Sequence, residues 1–419
     1  MSWPANPDLP DGLLFSGLKV VDAASWLAGP ASATILADYG ADVIKVEAPG
    51  AGDGYRALYR APRYPAADFD YMWAADNRNK RGIVLNLAEP EAKAVLLELV
   101  RECDVYVTNQ PLAQRRRFGL TYEELAPENP RLIYASLTAY GETGDDADDE
   151  GFDAHAYWGR SGLMHEVHAY GAAPSWSAPG QGDHPTAVAM YAAIVTGLLQ
   201  RERTGRGMLV HTSLLANGLW SNLCWAQGAF AGADFAPHYA PPGAALARAL
   251  FEAADGRTLQ IAALRTDEQI VRLLDALELG DLLLEERFAT PEGRAANAAA
   301  LAVALGDTFR TRPALEWRSF LRTRGLLVNT VTRTEDLPLD PQLRTIGAVV
   351  PLTDPGVGMP LVINHPVNVE GRSASDRRPR LGRGEHTRAI PAALGRSPRH
   401  HRGLRGAWGG LDEGGSRSD

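Results

Sequence analysis

Cysteine is nearly absent from this chain: Cys103 and Cys224 are the only two in 419 residues. They form no CxxC pair and both lie in apolar stretches, which excludes a disulfide scaffold and suits a reducing compartment. No run reaches the ~18 apolar residues of a membrane helix. The stretch Met1-Ser2-Trp3-Pro4-Ala5-Asn6-Pro7 shows no basic segment followed by an apolar one, so a cytoplasmic protein with no membrane partner is expected. Positive charge is not in excess either. Lys plus Arg number 42 against 51 Asp plus Glu, a net charge of -9, which argues against a nucleic-acid partner and leaves any small anion to a local basic pocket. Several catalytic signatures are missing as well. There is no GxxxxGK[ST] phosphate loop and no GxSxG elbow. His165-Glu166-Val167-His168 has the wrong spacing for two imidazoles on one helical face, and no metal is expected. Gly50-Ala51-Gly52-Asp53-Gly54 follows a second strand and precedes no periodic helix, unlike a dinucleotide fingerprint.

What is present is a large apolar fraction, 45%, arranged in alternating short strands and helices. Leu18 to Asp22 reads as a strand, Pro30 opens a helix that stops at Gly40, and Val43 to Val46 is a second strand. Ile83 to Leu87, Val105 to Val107 and Leu132 to Leu137 continue the strands, with an amphipathic helix from Pro90 to Val100 and a capping box at Thr121 and Glu124. This alternation predicts an α/β fold: a Rossmann-like domain with a parallel sheet, its ligands beyond the carboxyl ends of the strands. The large domain is expected over 1–228, including the long helix after Asp183. A Gly, Ala and Pro-rich linker over 229–248 and a smaller α+β domain over 249–330 follow. In the small domain Asp255-Gly256 forms a hairpin turn, Thr266 with Gln269 caps a helix, and Pro291 and Pro313 open two more. Residues 331–395 are expected to return to the large domain as strands, and the Arg, His and Gly-rich tail over 396–419 to be disordered.

The most informative segment is Gly182-Asp183-His184-Pro185, which sets a carboxylate at the start of a helix. Val188, Tyr191, Ile194, Val195, Leu198 and Leu199 recur at helical spacing, and the segment closes with Arg201-Glu202-Arg203-Thr204-Gly205-Arg206-Gly207. At or near the N-cap, free N–H groups and the helix dipole are expected to hold Asp183 ionised, as a carboxylate nucleophile requires. Locally, the same residue also fits a purely structural cap.

Further segments resemble one known family. Gly17-Leu18-Lys19-Val20-Val21-Asp22, Leu27-Ala28-Gly29-Pro30, Gly40-Ala41-Asp42-Val43-Ile44-Lys45-Val46-Glu47 and Asn77-Arg78-Asn79-Lys80-Arg81 closely resemble the class III CoA-transferases, also called CaiB/BaiF proteins. Asn109 with Arg117, Gly151-Phe152-Asp153, Asp340-Pro341-Gln342-Leu343 and Gly384-Glu385-His386-Thr387 follow in order, so the resemblance runs from Gly17 to Leu394. It implies an interlaced homodimer, with an acyl-CoA and a small carboxylic acid as substrates and no tightly bound cofactor. It makes Asp183 the catalytic residue, passing CoA through an aspartyl-CoA thioester. Trp26, Leu27, Ala28, Leu85, Asn109, Gln110 and Arg117 fall where the family contacts CoA. Arg117 is the foremost phosphate or adenine contact, although Arg115-Arg116-Arg117 also fits a solvated helix end. Asn77 to Arg81 fits either a basic loop near the site or a brace.

The chain departs from the family in places. Ala48 stands where some relatives carry a basic residue, and Pro241-Pro242-Gly243 replaces the glycine-run loop of formyl-CoA transferases, against an oxalate or formate role. Tyr157 and Trp158 are either acyl-pocket or core residues. The α-methylacyl-CoA racemases also resemble this chain. Their Gly-His-Asp triplet is here Gly151-Phe152-Asp153, and phenylalanine carries no proton, which ranks an isomerase second and a non-catalytic CoA-ester binding protein third.

Overall fold

A computed structural model describes residues 3–168, 171–236, 246, 249–261, 266–352, 359–370 and 382–394. The tail over 396–419 and Pro241-Pro242-Gly243 lie outside these residues. The chain divides into two compact units, one formed by Met1–Gly232 with the described residues from Arg344 onward, the other by Ala233–Leu343. The smaller unit is thus wider at both ends than the 249–330 read from composition.

The larger unit is built on six strands: β1 (Lys19–Asp22), β2 (Asp42–Glu47), β3 (Arg81–Val84), β4 (Val105–Thr108), β5 (Ile133–Thr138) and β6 (Met208–Ser213). They pair in the order β3-β2-β1-β4-β5-β6, every neighbour parallel. Parallel strands need crossovers, which α1 (Ala28–Asp38), α3 (Pro90–Glu102) and α7 (Asp183–Thr204) provide, with the short α2 (Tyr71–Asp76), α4 (Leu112–Phe118), α5 (Tyr122–Leu125) and α6 (Leu163–Glu166) between them. Strand order reverses between β1 and β4, so the loops leaving these two strands splay apart into a crevice, the usual ligand position in such sheets.

Both faces of the sheet are covered. Val21, Ile44, Ile83 and Tyr106 meet the inner stripe of α3 (Val95, Leu96, Leu99). Val20, Val43, Val105 and Ile133 meet α1 and α7 on the other face. Every residue of α1 is buried, which fits its run of alanines between sheet and α7. Of the apolar residues expected to line α7, Ile194 is fully buried, but the rest of the buried stripe is Thr186, Ala187, Met190, Gly197 and Arg201, and Leu199 is 55% exposed. Close approach decides this. A Cβ on Gly197 would lie 3.0 Å from Val210 and 3.3 Å from Ile133, so the helix sets its small residues against the sheet. Strand β6 was not read from the sequence. Its burial is mostly partial, so it lacks the continuous buried run of the central strands.

The cations of Asn77 to Arg81 brace the fold. Arg78 grips Asp38, Lys80 reaches Asp22 at 2.9 Å and Arg81 reaches Asp42 at 2.6 Å, all buried carboxylates. The free edge of β3 is closed by the Gly384–Thr387 segment, where the His386 amide donates to the Gly82 carbonyl and Thr387 Oγ1 accepts from the Val84 amide.

The smaller unit holds an antiparallel sheet, β7 (Leu250–Glu252), β8 (Thr258–Ile261) and β9 (Val328–Thr330), in that order. Helices Asp267–Ala276, Pro291–Ala296, Ala298–Phe309 and Ala314–Arg322 pack on a core of Leu259, Leu273, Leu301, Phe309 and Trp317. The first of them starts at the expected Thr266–Gln269 capping box. The region after 331 is poorer in strand than its composition suggests: β10 (Val349–Pro351) and β11 (Leu361–Ile363) are its two strands among the described residues. Cys103 is buried, but Cys224 is exposed, contrary to the apolar stretch around it.

Candidate active site

A cavity of about 630 Å³ opens at the strand reversal of the large unit. Ser25 to Ala28 from the loop after β1, Asn109 to Leu112 from the loop after β4 and Gly151 to His155 line it, together with Gly180, Asp183 and Leu214. Six of the residues proposed from sequence therefore meet in one place: Asp183, Trp26, Leu27, Ala28, Asn109 and Gln110. Two do not line the cavity. Leu85 is a fully enclosed member of the hydrophobic core, and Arg117 is exposed at the end of α4 with its guanidinium over Phe118.

Each wall has an identifiable support. Asn109 spends both ends of its amide on Ser25, donating to the carbonyl at 2.7 Å and accepting from the N–H at 2.8 Å, and so ties the two loops together across the reversal. Trp26 sits at φ +63°, a region costly for a bulky residue, and its N–H is held by Asp53 at 2.9 Å. Asp53 is fixed in turn by Lys45 at 2.9 Å and by the Tyr55 amide, wholly out of water. Gln110 is held through its carbonyl by buried Arg115 at 2.6 Å, while its own side-chain oxygen is buried with no partner among the described residues. Of Arg115-Arg116-Arg117, only the first is buried, and it braces this loop.

Asp183 is the first residue of α7, after Gly182 at the cap position. Its neighbour Asp153 accepts the Gly182 amide at 3.2 Å and the Ala154 amide at 2.7 Å, joining α7 to a π-helical turn over Ala154–Gly159. A Cβ on Gly182 would come within 2.6 Å of Tyr157 and 2.9 Å of Asp153, so glycine permits this approach. His184 turns away from Asp183: Nε2 lies 3.1 Å from Asp76 and Nδ1 3.1 Å from the Gly180 carbonyl. The other oxygen of Asp76 accepts Tyr55 OH at 2.9 Å.

The electrostatics differ from the expectation that the helix start keeps Asp183 readily ionised. Burial, then the nearby charges of Asp153 and Asp76, push its carboxyl up to about 7, against the opposing pull of His184. A first-turn dipole is a small, screened effect and does not offset desolvation beside two other acids. His184 moves up to about 9, chiefly through its hydrogen bond to Asp76, and with both ring nitrogens facing acceptors it is an imidazolium at neutral pH.

Tyr157 and Trp158 lie in the core, Tyr157 bonding Ser221 at 2.6 Å, and do not line the cavity. The aromatic groups that do are Trp26, Tyr64, Phe152, His155 and Trp176. Of these, Trp176 was not singled out from the sequence, because it stands in a loop with no periodicity to place it.

A parallel α/β sheet with a helix-start carboxylate lining a cavity at its strand reversal defines an α/β protein of the ligand-binding doubly wound class. The sequence profile described as CoA-transferase family III matches residues 15–387, and the chain belongs to that family as a class III CoA-transferase acting on acyl-CoA and carboxylic acids. It is 27% identical over 384 residues to the (R)-2-hydroxy-4-methylpentanoate CoA-transferase of Clostridioides difficile, covering 91% of this chain and 96% of that one. It is 32% identical over 402 residues to the succinate–glutarate CoA-transferase of Agrobacterium fabrum, covering 90% and 95%. Among solved structures, a CAIB/BAIF family protein from Brucella suis superposes with a TM-score of 0.79 at 29% identity, covering 92% of this chain and all of that one. No helix among the described residues is long and apolar enough to cross a membrane.

Proposed function

We propose that this protein moves CoA from an acyl-CoA donor to a free carboxylic acid through covalent catalysis by Asp183. The observation that carries the reading is that Asp183 lines the same cavity as the two loops on which the family resemblance puts CoA contacts. In the first step an Asp183 oxygen attacks the donor thioester carbonyl, the C–S bond breaks, and CoA thiolate leaves behind a mixed anhydride. The thiolate then attacks the aspartyl carbonyl and displaces the donor carboxylate, leaving an Asp183–CoA thioester. The acceptor carboxylate reverses both steps and departs as its CoA ester with Asp183 regenerated. Each exchange trades one thioester for another, so no outside energy source is required, and the protein mainly aligns the groups and keeps water from the anhydride.

A carboxyl pushed up to about 7 suits this role. It is substantially ionised at neutral pH and more basic than a free carboxylate, a useful compromise between availability and nucleophilicity. Trp26, Leu27, Ala28, Asn109 and Gln110 are assigned to the CoA side. Leu85 is reassigned to packing beneath the loops and Arg117 to the solvent face, where it meets a CoA phosphate only if the nucleotide extends beyond the cavity. We further propose a homodimer. Leu199, Leu219, Trp220, Leu223, Trp225 and Phe230 expose apolar surface on neighbouring helical segments, with Trp220 at 72% and Phe230 at 79%, more than an isolated subunit readily keeps in water.

Asp183→Asn keeps the size of the side chain and removes the nucleophile. CoA exchange between acyl-CoA and labelled acid should fall by at least about 10³-fold with the fold intact. Wild-type exchange in that variant, after exclusion of deamidation by mass spectrometry, contradicts the assignment.

A further inference from the structure

Beyond Trp26, which is assigned to the CoA side, the cavity contains aromatic surface that the transfer steps do not use. Trp26, Phe152, His155 and Trp176 form a continuous row with successive ring centroids 5.2, 6.4 and 5.9 Å apart. The first and last contacts are nearly perpendicular, at 84° and 79°, so the faces of some rings stay uncovered. Phe152 is 51% exposed and Trp176 is 73% exposed, which marks this as wall rather than core. The row is tied to the segment that carries the reacting group: Phe152 adjoins Asp153, whose carboxylate holds the Gly182 amide just before Asp183.

The charges on the same walls are mostly negative. Asp149, Glu150 and Asp153 all line the cavity, the first two exposed and the third buried, and Arg63 is the Lys or Arg side chain contributed to the lining by the described residues. Arg63 is engaged with Tyr64, donating to its hydroxyl at 3.1 Å. An acid with a planar or branched apolar chain gains by covering the aromatic row. A second carboxylate on that chain is brought instead among Asp149, Glu150 and Asp153, where like charges oppose it.

Resting on the transferase reading above, we infer that the acids exchanged at Asp183 are monocarboxylic, with an aryl or branched apolar chain that lies against Phe152 and Trp176, rather than dicarboxylic. The acid group meets Asp183 in the steps already given, and bond making and breaking are the same for either class. Phe152 and Trp176 are specificity residues on this account, and Asp149 and Glu150 act by exclusion.

The test is a competition on the full-length enzyme. Acetyl-CoA, isovaleryl-CoA and 3-phenylpropionyl-CoA serve in turn as donors, with acetate, isovalerate, 3-phenylpropionate, succinate and glutarate as acceptors, and kcat/KM is measured for each. Isovalerate or 3-phenylpropionate should exceed both dicarboxylates by about 10² in kcat/KM. Phe152→Ala and Trp176→Ala should each lower the ratio of 3-phenylpropionate to acetate by about tenfold, while Asp149→Lys with Glu150→Lys should raise the use of glutarate. If wild type uses succinate or glutarate as well as it uses 3-phenylpropionate, the substrate class is overturned and CoA transfer through Asp183 stands. If no acid is charged and no donor modifies Asp183, the transferase assignment fails and this inference fails with it.

Discussion

Asp183 combines a helix start, which favours its anion, with burial beside Asp153 and Asp76, which opposes it, and the balance lies near 7. Two consequences belong to this residue. The first is kinetic: kcat/KM for CoA exchange should rise with pH and level off above an apparent pKa close to 7, whereas an Asp183 ionised like a free aspartate would give a flat profile from pH 5 upward. The second is thermodynamic. A carboxyl raised in the folded state binds more protons there than in the unfolded chain, so it destabilises the fold as pH rises from its ordinary value of 3.8 through about 7. Asp183→Asn should therefore stabilise the protein at pH 8 by about 1 kcal/mol, a figure discounted for its partial exposure, and the gain should vanish by pH 4. Melting temperatures of the two proteins across this range decide it. His184 has the opposite sign. Its raised pKa contributes stability below pH 6.5 that is lost as pH passes about 9, so the destabilisation of His184→Gln should shrink at high pH.

The elements that hold Asp183 in place depend on contacts too close for side chains. A Cβ on Gly218, in the helix Leu214–Ser221, would lie 2.1 Å from the Tyr157 carbonyl in the π-helical turn that Asp153 begins. Gly218→Ala should force these elements apart, costing about 2–4 kcal/mol of stability and reducing turnover more than it alters CoA binding. Denaturation midpoints and steady-state kinetics on the one variant check both parts. Lys45 is a second such support, since Lys45→Met leaves Asp53 buried without its cation and frees the Trp26 loop. A loss of about 3–5 kcal/mol is expected, because a stranded charge costs more than the ion pair contributes. Elements were also where the sequence was most legible. The central strands, α1, α3 and the Thr266 cap all follow from apolar runs and turn chemistry, whereas β6 and the buried face of α7 do not. The first is only partly buried along its length, and the second depends on small residues fitting a neighbour, a property of two surfaces rather than of one pattern.

For the whole molecule, six of the eight residues assigned from the ordered family segments meet at the reversal point of the sheet, because strand order alone brings the ends of β1 and β4 together. Less legible were the supports from distant parts of the chain. Asp53 beneath Trp26, Asp76 against His184 and Arg115 under Gln110 are ordinary polar residues in sequence, and tertiary contact alone gives them their roles. The exposed apolar face around Trp220 and Phe230 bears on assembly. Light scattering should give twice the mass of one chain, and Trp220→Asp with Phe230→Asp should yield monomer or aggregate; a monodisperse wild-type monomer contradicts the dimer. The central claim, however, is chemical, and intact-protein mass spectrometry after brief exposure to acetyl-, succinyl- and 3-phenylpropionyl-CoA, with peptide mapping, tests it most directly. A CoA adduct on the peptide containing Asp183, absent from Asp183→Asn, is the predicted result. No adduct with any ester, together with exchange of the acyl α-proton into deuterated water, would contradict transfer and point to isomerisation.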